Sequence, residues 1–240
     1  MRDNELSDIR QLPLFRSMSN ENYATLTRAA YDQTFPAQVQ LFEEASGADF
    51  LHIVMDGAVE LFAGWQDRET TLEVIRPVTT FILAACITDS PYLMSARTLE
   101  KTRIIMMPTV DVRTVFDKDP AFALAAMTEL SACYRRIIRH AKDIKLRNAR
   151  ERVAAYLLRT APAEPTNASF VLPLEKRLLA SFIGMTPESL SRAMRSLQEL
   201  GVKVEGQRIT IANRAALESL AHPSWLIDGP DLQNSQTRGP

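Results

Sequence analysis

The sequence predicts an α+β protein in three parts: a β-barrel of the jelly-roll kind over residues 1–118, a long helix over 119–147, and a winged helix-turn-helix over 148–222. Three observations predict it. Short runs rich in β-branched and aromatic residues crowd the first half of the 240-residue chain. A heptad pattern then runs unbroken after Pro120. Further on, Gly184-Met185-Thr186 separates two short amphipathic segments, and a Gly-centred hairpin follows them. Residues 223–240 lack periodicity and are expected to form a mostly flexible tail, with Trp225 and Leu226 as the pair able to dock back.

The elements follow in order. Over residues 5–31, Ile9, Leu12, Leu14, Phe15, Tyr23, Leu26 and Ala30 recur at helical spacings, with a break at Pro13. From Phe35 the period shortens, and strands are expected at 35–42, 50–55, 58–62, 70–75 and 102–107. Met55-Asp56-Gly57 is a turn signal. From Asp119 to about Arg147 the pattern is helical: Ala123, Leu130, Ile137 and Ile144 recur every seven residues, as do Met127, Tyr134 and Ala141. Arg135, Arg136, Arg139, Lys142 and Lys145 flank this narrow seam. A narrow apolar seam on an otherwise charged helix favours pairing with a second copy over packing on its own barrel. The expected dimerisation residues are Met127, Leu130, Tyr134, Ile137, Ala141 and Ile144.

The segment Gly184–Arg195 is the most informative. Thr186 is a natural N-cap, and Pro187 follows where a helix has no use for an N–H. The helix opening there puts Glu188, Ser191, Arg192 and Arg195 on one face and Leu190, Met194 and Leu197 on the other. With a preceding helix from about Glu175 to Ile183, this is a helix-turn-helix. Such a second helix reads base edges, for which Arg, Glu and Ser are suited donors and acceptors. Val202–Val204 and Arg208–Ile211, around Gly206, read as a wing, and Phe170–Leu172 as a further strand.

Composition is compatible with this and excludes little. The net charge is −1, but residues 1–146 carry 16 basic and 20 acidic side chains, a net of −4. Residues 147–222 carry 11 basic and 7 acidic, a net of +4, which fits local contact with phosphates. Cys86 and Cys133 offer neither zinc spacing nor a disulfide framework. No signal peptide and no membrane-spanning run is read, so a cytoplasmic protein without membrane contact is expected. His52, His140 and His222 are scattered, and no nucleophile–base pair or phosphate loop appears, so an enzyme is not expected.

The order of parts, together with four stretches, resembles the CRP/FNR superfamily of bacterial transcription regulators over roughly residues 8–221. The stretches are Phe50–Leu61, Ser95-Ala96, Asn148–Leu158 and the second helix of the helix-turn-helix. The resemblance implies a cyclic-nucleotide-binding-like N-terminal domain, double-stranded DNA, a homodimer and RNA polymerase as partners. FNR-type members carry Glu-x-x-Ser-Arg in that helix and read a TTGA-type half-site; Glu188, Ser191 and Arg192 match this pattern. Members of the cAMP-receptor type place Arg before this Glu, where Pro187 stands here. Thr186, Arg195, Lys176, Arg177 and Arg208 are the expected phosphate-backbone contacts.

The sensor half departs from the family's better-known patterns. Leu83-Ala84-Ala85-Cys86 stands where cAMP-binding members have Gly-Glu-Leu-Gly, and Met94-Ser95-Ala96 where they have Arg-Ser-Ala. A phosphate buried without its cation is costly, so cAMP is not an expected ligand. No cysteine precedes Cys86, so the iron–sulfur cluster of the oxygen-sensing members is not expected either. The expected effector pocket is apolar: Phe81, Leu83, Cys86, Ile87, Tyr92, Leu93 and Met94, faced by Leu130, Cys133 and Tyr134. Three alternatives stay open for it: haem, with Cys86 or His52 as ligand; a small organic effector; or no small ligand. The junction at Asn148-Ala149-Arg150 is the expected hinge. A sensor acting through protein contacts, without specific DNA binding, is the alternative to a DNA-binding regulator.

Overall fold

A computed structural model describes residues 3–162 and 168–229. The chain divides into two compact units, Met1–Ser131 and Ala132–Pro240, with the division falling inside the long helix.

The first unit opens with helices α1 (Asp3–Gln11) and α2 (Asn20–Arg28). Its strands are β1 (Tyr31–Phe35), β2 (Gln40–Phe42), β3 (Phe50–Asp56), β4 (Val59–Trp65), β5 (Arg68–Ile75), β6 (Thr79–Phe81), β7 (Ser95–Thr98) and β8 (Thr102–Pro108). Helix α3 (Leu83–Thr88) lies between β6 and β7, and α4 (Thr109–Lys118) follows β8. The strands form two antiparallel four-stranded sheets, ordered β1-β8-β3-β6 and β2-β7-β4-β5. The result is a jelly roll of two separate sheets rather than a closed barrel.

Strands β3 and β8 are buried on both faces, which explains their unbroken apolar runs. Because side chains alternate along a strand, Leu51, Ile53, Ile105 and Met107 face one cluster with Phe15, Leu26, Val112 and Phe122 from the helices. Val54 and Ile104 face the other way, into a second cluster with Val59, Leu61, Ile75, Phe81 and Ala96. Gly57 holds a φ of +85°, and a Cβ there would fall 2.6 Å from the Lys101 carbonyl, so the expected turn after β3 requires glycine.

The long helix α5 spans Pro120–Leu146. Asp119 caps it, accepting from the N–H groups of Ala121 and Phe122 at 3.1 Å. Its other oxygen accepts from Ser19 N and Asn22 Nδ2, which ties α2 to the start of α5. Burial acts to raise the Asp119 carboxyl, but these hydrogen bonds outweigh it and hold the group down at about 2. Within the first unit Thr80 donates to Glu129 of α5.

The second unit contains the rest of α5, then α6 (Ala149–Thr160), β9 (Ala168–Val171), α7 (Lys176–Phe182) and α8 (Pro187–Ser196). A 3-10 turn (Leu197–Leu200) leads to β10 (Val202–Glu205), β11 (Arg208–Ile211), α9 (Arg214–Ala221) and α10 (Trp225–Asp228). The order β10-β11-β9 makes a three-stranded antiparallel wing sheet.

The structure corrects several expectations of detail. The chain turns from helix to strand at Tyr31, ahead of Phe35, because β1 is an edge strand whose exposed Tyr-Asp-Gln-Thr run carries no apolar alternation. The run 35–42 is broken between two sheets. Of the expected tail, residues 225–228 form α10, while 230–240 lie outside the described residues. Trp225 and Leu226 do not dock: they are 69% and 68% exposed, and the polar groups around Asp228 make the attachment instead.

Candidate nucleic-acid interface

Helix α8 is specified locally at every step. Gly184 adopts φ +67°, and a Cβ there would lie 3.3 Å from Ile144 Cδ1, so the turn between α7 and α8 needs glycine for conformation and for space. The Thr186 hydroxyl accepts from Ser189 N at 3.2 Å, and Pro187 occupies the first turn. Leu190, Ala193 and Met194 are buried on one side, followed by Leu197. The other side presents Glu188, Ser191, Arg192 and Arg195 to solvent. Arg192 Nη2 donates to Ser189 Oγ at 3.1 Å, within the first turns of the helix. The backbone N–H of Glu188 itself, then the Thr186 hydroxyl and the nearby Arg192 charge, hold the Glu188 carboxyl below its ordinary range. Glu188 is therefore an ionised acceptor beside an Arg donor, a pair able to address a C·G step.

The expected backbone contacts are all at the surface. Lys176 and Arg177 open α7, and Arg208 opens β11 next to the Gly206 turn; all three are exposed. In Thr186 a different role is visible, since its hydroxyl is committed to capping α8.

Two arginines that sequence reasoning passed over set the position of α8. Arg152 Nη1 donates to the carbonyls of Ile144 (3.1 Å) and Arg147 (2.8 Å), and its Nη2 to the carbonyl of Gly184 (3.3 Å). Arg150 Nη2 donates to Ser196 O at the end of α8 (3.1 Å). The available signal was Asn148-Ala149-Arg150-Glu151. It forms a capping box, with Asn148 Oδ1 accepting from Glu151 N and Glu151 from Asn148 N. The capping box fixes the first turn of α6, so the expected pivot is narrowed to the junction ahead of Ala149.

The seam residues on α5 are open to solvent in one copy of the chain. Met127 and Ile137 are each 60% exposed and Tyr134 is 65%, while Ile144 is exposed and Leu130 and Ala141 are half-buried.

The first-unit residues of the expected effector pocket divide between two packed clusters, with Tyr92 and Cys86 both near the Phe50 carbonyl. Phe81 faces the cluster between the sheets, with Met94 packed beside it, and Tyr92 is buried against the ring of Phe42. Leu83 and Cys86 instead join the helix-side cluster, where Ile87 and Leu130 also pack. Leu93 is 79% exposed and lines nothing. Cys133 and Tyr134 belong to the second unit, half-buried and exposed respectively. Alternation along the strand and the turn into α3 send neighbouring residues of the 81–87 run to opposite faces. A cleft of about 220 Å³ opens elsewhere, beside Asp49, Asp89, Thr109 and Arg113, and Arg113 is engaged there by Asp89 at 2.7 Å.

Phe42 is the member of the interior that sequence reasoning did not group with His52, Phe81 and Tyr92. The Phe42 ring stacks on Tyr92 at 3.9 Å between centroids and lies 5.3 Å from His52, which is 5.0 Å from Phe81. His52 is 3% exposed, and its Nδ1 has no partner among the described residues. Burial drives its pKa down to about 4, against a weaker opposing backbone contact at Phe50, so the ring is neutral. Cys86 points its thiol to the Phe50 carbonyl at 3.4 Å, and burial pushes it up to about 12 despite the Arg113 charge. With the rings of Phe42, Tyr92 and Phe81 filling the space beside His52, these residues do not fit a haem. No group of three His, Cys, Asp or Glu suited to a metal occurs among the described residues.

The two positions where the resemblance would put charged ligands for a cyclic nucleotide carry uncharged side chains. Ala84 lies on α3, and Met94 stands where an Arg would be needed. The nearby Arg97 is committed to Glu60 (2.7 Å) and Glu69 (3.1 Å) and covers the Phe62 ring at 4.1 Å.

A winged helix-turn-helix behind a jelly roll defines a DNA-binding transcription regulator with a sensor-type N-terminal domain. Comparisons agree: residues 32–119 match the cyclic nucleotide-binding domain and residues 151–220 the Crp-like helix-turn-helix domain. The chain belongs to the CRP/FNR superfamily of transcription regulators. It is 26% identical over 194 residues to the nitrogen fixation regulation protein FixK of Azorhizobium caulinodans, covering 78% of this chain and 77% of that one. The structure of FixK2 from Bradyrhizobium japonicum shares the fold at TM-score 0.69 and 21% identity, over 81% of this chain and 98% of that one. A putative cyclic nucleotide binding protein of Ruegeria pomeroyi is similar at 25% identity and TM-score 0.58, over 93% and 100%. The curated relatives are regulators and activators, not enzymes. No described helix is long and apolar enough to cross a membrane.

Proposed function

We propose that the protein acts as a cytoplasmic homodimer that reads an FNR-type palindrome of two TTGA-type half-sites and works on RNA polymerase. One observation carries the reading: a helix capped and fixed at both ends presents Glu188, Ser191 and Arg192 outward together. Glu188 and Arg192 address base edges, while Lys176, Arg177, Arg195 and Arg208 address phosphates. The dimer is supported by Met127, Tyr134 and Ile137, an exposed apolar stripe that a soluble chain covers with a partner. A two-fold dimer sets two recognition helices about one DNA turn apart, roughly 34 Å.

The effector assigned to this regulator is a small apolar or aromatic organic molecule acting on the interior of the first unit. Phe81, Tyr92 and Met94 already pack there with Phe42, so such a molecule enters only by displacing those rings. It can shift DNA affinity only by favouring one arrangement of the protein over another.

The test is a gel shift on an FNR-type palindrome against a scrambled duplex of the same composition, at stated salt. Strong preference for the palindrome is expected. Equal binding to both would favour a sensor acting through protein contacts.

A further inference from the structure

We propose that residues 222–229 are a strap that braces the joint between α5 and α6, and that Asp228 and Arg147 are positioning residues for DNA recognition although neither faces DNA. The inference rests on the DNA-binding reading above only for its affinity readout.

The strap is fastened by a closed set of charges. Arg147 is 8% exposed and directly follows α5. Its two terminal nitrogens reach both oxygens of Asp228, at 2.8 and 2.6 Å, and Nη1 also reaches Asp143 at 2.9 Å. Arg159 of α6 grips the same two carboxylates, at 2.6 Å to Asp228 and 3.1 Å to Asp143. Two cations and two anions thus cancel, which buried charges require. The backbone joins in: Arg147 Nη2 donates to His222 O, Ser224 N to Asp228 Oδ2, and Arg139 Nη1 to Gly229 O. Asp228 is therefore the one group of the strap that touches the arginine following α5 and an arginine from α6 at once.

The joint so braced is the one that aims α8. Arg152 binds the last carbonyls of α5 and the Gly184 carbonyl in the turn before α8. Ile144 of α5 fills the space against Gly184, and His140 stacks on Phe182 of α7 at 5.4 Å. Rotation at 148 would break these contacts together. At 3.6 residues per turn, Arg139, Asp143 and Arg147 lie on the opposite side of α5 from Tyr134, Ile137, Ala141 and Ile144. The strap thus holds the back of the helix and leaves the apolar seam open.

The experiment uses the full chain with Asp228→Asn and Asp228→Glu, and reads hydrogen exchange by peptide together with affinity for the palindrome. In Asp228→Asn, exchange over 144–152 should rise, exchange over 187–196 should stay as in the parent, and affinity should fall on the order of tenfold. Asp228→Glu, which restores the charge, should recover most of both. Parent-like exchange at 144–152 in Asp228→Asn overturns the brace. So does faster exchange throughout 148–221, which would make the strap a general stabiliser of the domain. A loosened joint with unchanged affinity overturns the positioning role. If Asp228→Asn does not fold, Arg159→Gln removes one arm from a side chain 31% exposed and takes its place. Failure of the parent to prefer the palindrome would sink the functional reading, and the exchange measurement would still decide the brace.

Discussion

The interior of the first unit and the outer face of α8 hold opposite relations to the family they share. Between the sheets the fold is kept, Ala84 and Met94 carry no charge where the resemblance would put a cyclic nucleotide's ligands, and Phe42, His52, Phe81 and Tyr92 pack together. On α8 the polar residues proposed to meet bases are exposed together, and the cap and turn that place them are present too. The contrast teaches that a scaffold persists through its apolar alternation, which tolerates many side chains. A reading surface persists only through particular donors and acceptors.

The sharpest way to break the outward half of this contrast is Ile137→Glu. In the proposed dimer it places two like charges in an apolar seam, each costing several kcal/mol. Sedimentation should show monomers at micromolar concentration; a dimer that persists would mean that another surface joins the copies. Arg192→Ala should come next, losing roughly 1–3 kcal/mol at each half-site while leaving the dimer intact. Competition between palindromic and scrambled duplexes measures it, and undiminished discrimination would remove Arg192 from the base-reading set.

For the inward half, His52 gives a pH signature. Its pKa is lowered to about 4 in the folded chain, against about 6.5 when unfolded. The neutral ring is favoured by the fold, so the contribution is full above 6.5 and is lost as pH falls toward 4. Between pH 7.5 and 5 the first unit should lose about 2 kcal/mol on this account. Thermal unfolding of the parent and of His52→Phe should separate them, the variant losing less over that window; equal slopes would place the pH dependence elsewhere. The smallest expected effect is none at all. Titration calorimetry with cyclic AMP should give no heat of binding and no change in DNA affinity, since no cation awaits the phosphate; micromolar binding would mean that the interior opens to a charged ligand.

What was legible in the sequence was what is decided locally. Thr186, Pro187 and the apolar spacing of Leu190 and Met194 specify α8 with no help from distant residues, and the heptads from Ala123 to Ile144 specify α5 in the same way. Strand β7, by contrast, is Ser-Ala-Arg-Thr, a strand only because β2 and β4 pair with it. The interior was legible as apolar, but Phe81 and Met94 pack between the sheets and not against α5. Leu83 and Cys86 join a different cluster from Phe81, because linear proximity says nothing about which face of β6 or α3 a side chain joins. Asp228 could not be found at all, since its partners Arg147 and Arg159 lie 81 and 69 residues away.

The uncovered stripe on α5 has a consequence for gene dosage. If two copies must meet before any operator is read, the active species grows with the square of chain concentration while monomers dominate. Doubling synthesis then quadruples output, and halving it quarters output, before any effector is involved. A regulator wired this way responds to its own concentration more steeply than linearly, and in the proposed dimer Met127, Tyr134 and Ile137 set the range over which it does so.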